Sequence, residues 1–160
     1  MKSLITTALI VIVAASQADA QVPLKDFATL MQALNQGKEV RAVLHYAEFR
    51  LLVDGKETAA PDAIGGMSFG TFEYFAAGSI GNSKAFVTTS ETVLISHPTR
   101  GYVYNYVKLK VYEDNAVDLV ARYLNPTTFE VVMDEIFYGQ ISTEGKNRGA
   151  YFFTDDSEEE

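Results

Sequence analysis

The chain has 160 residues, no cysteine, no tryptophan, two histidines and a formal net charge of −8. Without thiols, disulfide redox chemistry, thiolate catalysis and cysteine-ligated zinc are excluded. The acidic balance argues against nucleic acid or an anionic membrane surface as partner.

Taken from the N-terminus, Lys2, the apolar run Leu4 to Ala15 and the Ala18-Asp19-Ala20 site read as a cleavable secretory signal. The run is about 12 residues, short of the ~20 that a membrane span needs. Residues 1–20 are therefore expected to be removed, leaving Gln21 as N-terminus and no membrane span in the mature form. The expected setting is periplasmic or extracellular. Residues 21–153 have the size of a single domain, long enough to build a core without covalent staples. Residues 154–160 are expected to form a disordered acidic tail, because five acidic residues crowd the last six positions.

Phe27, Leu30, Met31 and Leu34 recur at three- and four-residue spacing and predict one helix between Pro23 and Gly37. After Gly37 the period becomes alternating. Val40 to Tyr46 predicts a strand with residues 40, 42, 44 and 46 on one face, and Phe49 to Val53 a second running into the Asp54-Gly55 turn. Residues 57–66 read as a loop and Met67 to Phe75 as an aromatic-rich strand. Ala85 to Thr89 and Val93 to Ser96 read as two short strands joined by Ser90-Glu91.

Tyr102 to Tyr112 is the clearest strand, with Val103, Asn105, Val107, Leu109 and Val111 on one face and the tyrosines and lysines on the other. Glu113-Asp114-Asn115 turns it into Ala116 to Leu124, with Asn115 suited to a left-handed position. That register sets Lys110 opposite Asp118, Tyr106 opposite Arg122 and Leu109 opposite Leu119. Phe129 to Ile141 follows, and Tyr151 to Phe153 reads as a short edge strand. The fold class is mainly β: an antiparallel meander of about eight strands forming a barrel or a sandwich, with one N-terminal helix.

Several of these features together resemble the VirK-like family of small exported bacterial proteins. They are Phe27-x-x-Leu30-x-x-x-Leu34 with Gly37-Lys38-x-Val40, Gly65-Gly66 before an aromatic strand, Ala85-Phe86 leading to Thr92-Val93, and the strand ending near Arg122-Tyr123. The resemblance implies an exported protein linked to envelope or host interaction, with no catalytic residue to carry over. Where the family often has a cysteine, this chain reads Ala47-Glu48-Phe49-Arg50.

Candidate chemistry is sparse. His45 and His97 share no metal-ligand spacing, and neither a metal nor another cofactor is expected. Gly65-Gly66 lacks the strand-to-helix context and the lysine of a phosphate loop. Asp134 and Glu135 are adjacent in a predicted strand and so face opposite ways. The unusual feature is the face carrying Tyr102, Tyr104, Tyr106 and Lys108, with Arg122 across from it. Tyrosine rings with interleaved cations suit an anionic or planar ligand. The reading is a non-enzymatic binding or interaction module for a small-molecule or protein ligand, using that face or the barrel mouth. The alternative is a small secreted hydrolase centred on His45, His97 and Asp134. Ligand identity and oligomeric state are left open.

Overall fold

The computed structural model describes residues 21–143 and 145–155; the expected signal (1–20) and positions 156–160 of the expected tail lie outside the described residues. Chain order begins with strand β1 (Gln21–Leu24), which the sequence reading passed over because Pro23 suggests a helix start. Proline is tolerated there because β1 pairs with one neighbour only, so a missing N–H costs no ladder bond.

Helix α1 (Phe27–Asn35) is shorter than predicted, because both ends are fixed by side chains and turns. Asp26 accepts from Thr29 N at 2.8 Å while its own N–H donates to Thr29 Oγ1 at 3.3 Å, a reciprocal cap. At the other end Gly37, at φ 74°, lets its N–H reach Leu34 O while Lys38 N reaches Ala33 O. Leu30, Ala33 and Leu34 are buried against the sheet. Asn115 Oδ1 accepts from Phe27 N at 2.7 Å and ties the helix start to a distant hairpin turn.

The remaining strands are β2 (Val40–His45), β3 (Arg50–Val53), β4 (Lys56–Thr58), β5 (Ile64–Ser68), β6 (Glu73–Phe75), β7 (Phe86–His97), β8 (Gly101–Tyr112), β9 (Ala116–Leu124), β10 (Val131–Ile141) and β11 (Gly149–Asp155). They form one sheet in the order β5-β2-β11-β10-β9-β8-β7-β6, with β1 beside β11 and the β3–β4 hairpin beside β10. Every pairing is antiparallel except β10 with β11, which meet in parallel at Gln140↔Gly149 and Ile141↔Ala150. The sheet curls into a half-barrel, in keeping with the expected mainly β class and single helix. Its concave side holds the core: Val40, Leu44, Val87, Leu109, Val111, Val117, Leu119, Phe137 and Phe152 are essentially inaccessible. Among the described residues no helix is long and apolar enough to cross a membrane.

Several predicted boundaries change. Among the described residues eleven strands replace about eight. The expected loop at 57–66 contains β4 and the start of β5, and the expected strand at 67–75 is broken between β5 and β6. Residues 85–96 are not two strands. β7 runs unbroken through Ser90-Glu91 because β8 templates all twelve positions, from Phe86↔Tyr112 to His97↔Gly101. β11 is not an edge strand: it extends to Asp155, past the expected domain limit, and lies between β2 and its β1 and β10 neighbours.

The β8–β9 register is the expected one, with Lys110↔Asp118, Tyr106↔Arg122 and Leu109↔Leu119. Asn115 takes the left-handed conformation at φ 67°. The expected Lys110–Asp118 charge contact is replaced by other partners. Lys110 Nζ lies 4.3 Å from the Phe86 ring centroid, and Asp118 accepts from the Tyr112 hydroxyl at 2.8 Å.

Candidate functional site

The five residues singled out from sequence all lie on the convex side of the half-barrel, because 102, 104, 106 and 108 alternate with the inward Val103, Val107 and Leu109. They do not converge on one pocket. Arg122 is held by Asp134 through Nε–Oδ1 at 2.9 Å and Nη2–Oδ2 at 3.2 Å, which raises its pKa further and occupies its fork. Lys108 borders a depression of about 470 Å³ near Thr71 and Thr88, which none of the other four residues lines. Tyr102 is 67% exposed. Tyr104 stacks nearly parallel on Phe129, centroids 6.1 Å apart.

The alternative hydrolase residues are not brought together. His45 points to the convex side, its ring 4.9 Å from Tyr151 and its Nδ1 3.9 Å from Glu48. Glu48 in turn accepts from Gly149 N at 3.0 Å and from the Tyr151 hydroxyl at 3.1 Å, so this cluster clamps the chain after β2 onto β11. His97 faces the concave side, 5.2 Å from Tyr123, and Asp134 faces the convex side with Arg122. Among the described residues no group of three or more His, Asp or Glu side chains could hold a metal ion.

One stretch escaped the sequence reading: Gly66-Met67-Ser68-Phe69-Gly70 has the G-x-S-x-G spacing of a nucleophile elbow. Such an elbow needs a strand-to-helix turn. Here Ser68 ends β5 and no helix follows. His45 pairs with Ile64, four positions back along the strand, which is about 13 Å away at strand spacing.

A more coherent site lies in the concave opening. The half-barrel does not close, because β6 covers only Phe86–Thr88 of β7 and the sheet ends at β5 on the other side. Between β5 and the middle of β7 runs a cleft of about 540 Å³ bordered by Gly66, Ser68, Thr89, Ser90 and Glu91. A second hollow of about 200 Å³ shares Gly66, Met67 and Glu91 with it and reaches Val93, Asn105 and Val107. A third of about 160 Å³ shares Tyr46, Asn105 and Val107 with the second and ends at Tyr123, Met133 and Glu135.

Tyr46 is the pivot of this space. Its ring stands edge-on to Phe137, centroids 5.1 Å apart, and lies directly over Gly65. A Cβ on Gly65 would sit 2.9 Å from the tyrosine ring, so the glycine makes room for it. Burial, then the neighbouring Tyr123 and Glu135, raise the Tyr46 pKa. Three polar side chains face the hollows without partners: among the described residues no side-chain hydrogen bond or ion pair engages Glu91, Asn105 or Glu135. Val93 is 47% exposed although it points inward. The sequence did carry signals for this: Asn105 interrupts an otherwise apolar face, and Glu135 has the opposite parity to the paired Asp134.

Residues 23–129 match the family model described as VirK protein. A crystal structure of a VirK family protein from Legionella pneumophila superposes with a TM-score of 0.63 at 15% sequence identity, covering 82% of this chain and 98% of that one. That likeness is one of fold. No curated protein matches the chain.

Proposed function

The chain belongs to the VirK family, and from that premise we propose that it is an exported, non-enzymatic binding module whose ligand sits in the concave cleft. One observation carries the reading: Glu91, Asn105 and Glu135 stand without partners inside an opening otherwise lined by Tyr46, Val93, Val107 and Met133. Apolar walls with a few convergent polar groups are the usual make-up of a ligand site. The periplasmic or extracellular setting and the link to envelope or host interaction belong to the same proposal. Lys2, the apolar run Leu4 to Ala15 and the Ala18-Asp19-Ala20 site support it.

A screen of lipids, phenolics, sugars and amines, read as shifts in melting temperature, tests the cleft. A ligand that stabilises the wild type should lose its shift in Val107→Trp, which fills the hollow, and keep it in Tyr104→Ala. The reverse pattern would move the site to the convex face.

A second reading, a protein-contact patch on that convex face, is favoured by one observation. Phe129 is held at φ 59°, a conformation costly for an aromatic residue, by the bond from its N–H to Asn125 O at 2.9 Å. The ring is 64% exposed and stacked on Tyr104, near the exposed Tyr102 and Leu94. Loss of a stabilising partner in Tyr104→Ala with Phe129→Ser, but not in Val107→Trp, would establish this patch instead.

A further inference from the structure

We infer that the cleft takes an extended peptide segment of a partner protein, added as a strand along the free edge of β7 with a basic side chain directed at Glu91. The inference rests on the cleft being the binding site and names what fills it.

Antiparallel strands exchange hydrogen bonds through alternate residues, and the residues between turn their N–H and C=O to the other side. Glu113 N bonds Ala85 O at 3.0 Å, which sets the phase of the β7–β8 ladder: odd positions of β7 bond β8. Ser90, Thr92, Leu94 and Ser96 therefore turn their backbone groups away from β8, and β6 reaches only as far as Thr88. On the facing lip, Tyr46 N to Ala63 O and Phe69 N to Val40 O, both 2.9 Å, put the odd positions of β5 against β2. Ile64, Gly66 and Ser68 then turn theirs into the opening. Among the described residues no loop backbone takes up any of these groups. Rows of backbone donors and acceptors on both lips suit another peptide backbone; a small molecule satisfies one or two of them.

The side chains select the segment. On the inward face of this stretch of β7 stand Glu91, Val93 and Ile95, with Val107 and Asn105 on the floor beside them. Alternate side chains of an added strand would meet apolar Val93 and Val107, and one would meet Glu91, with Glu135 deeper in the hollow. Neither carboxylate has a basic partner among the described residues, so a lysine or arginine at an inward position completes the site. Arg41 lines the same cleft from β2, but Glu39 and Asp155 already match it, at 3.6 Å each. A second copy of this chain fits poorly, since the net charge is −8.

The test is selection from a displayed library of random linear nonapeptides on the purified protein, followed by a synthetic peptide of the enriched sequence. Enriched sequences should alternate apolar residues and carry a lysine or arginine in the apolar phase. The synthetic peptide should slow amide exchange at Ser90, Thr92 and Leu94 at least tenfold. N-methylation of its alternate amides should weaken binding at least tenfold, and Glu91→Gln should weaken it severalfold without changing the melting temperature of the free protein. No enrichment, or binding indifferent to both N-methylation and Glu91→Gln, would overturn the inference. So would amide protection that appears without peptide and grows with protein concentration, which would make a second copy the occupant. A small molecule whose effect is lost in Val107→Trp, alongside a failed peptide selection, would sink the peptide alone and leave the cleft standing. Peptides whose binding survives Val107→Trp would sink both.

Discussion

Tyr46 shows at the scale of one residue how the cleft is held and how it can be probed. Its folded-state pKa is raised above the ordinary 10.0, first by burial and then by Tyr123 and Glu135. A raised value means that the stability tied to its protonated form is fully present below pH 10 and is lost as pH rises through the folded value. Tyr46→Phe keeps the ring against Phe137 and removes the ionisation. Unfolding measured between pH 9 and 11 should therefore show a shallower alkaline loss of stability in Tyr46→Phe than in the wild type; equal slopes would place Tyr46 outside the hollow. The local pattern of residues 40–46 was legible, since 40, 42 and 44 do face the core. That Tyr46 leaves the strand in a short 3-10 turn (Tyr46–Glu48) and swings over Gly65 was not, because the partner glycine lies on another strand.

At the scale of elements, turns and paired faces could be read from sequence, while closures could not. The β8–β9 hairpin was legible because Asn115 fixes the turn and opposing side chains on both faces agree on one register. β11 was misread because three aromatic residues before an acidic run look like a chain end, whereas its inward Ala150, Phe152 and Thr154 are buried between neighbours. Thr154 lies opposite Val22 and Val40, and among the described residues its buried hydroxyl has no partner. Replacing such a group by an apolar one of the same shape removes a desolvation penalty. Thr154→Val is expected to raise stability by ~1 kcal/mol in urea unfolding, and a loss of that size would mean the hydroxyl is bonded after all. Gly139 shows the opposite case. An added Cβ there would lie 2.6 Å from the Phe49 ring and 2.7 Å from Arg148 O. Gly139→Ala should cost about 1–3 kcal/mol through overpacking, read as a lowered urea midpoint.

For the whole molecule, the half-barrel leaves β7 longer than the strand that covers it, and this mismatch creates the open seam. No local sequence signal announces it: β6 begins only at Glu73, opposite Thr88, and the residues before it do not carry the ladder on toward Ser90. The convex tyrosine face was conspicuous in sequence because tyrosine and lysine alternate there, yet flatness or concavity is set by sheet curvature, which no window of residues encodes. The direct measurement is native-state amide hydrogen exchange on the ligand-free protein. An open seam predicts fast exchange at Ser90, Thr92, Leu94 and Ser96 beside slow exchange at Thr89, Glu91, Val93 and Ile95, an alternation that ends where β6 begins to cover β7. Uniform protection of all eight amides would mean that the seam is closed and would contradict the cleft as a binding site.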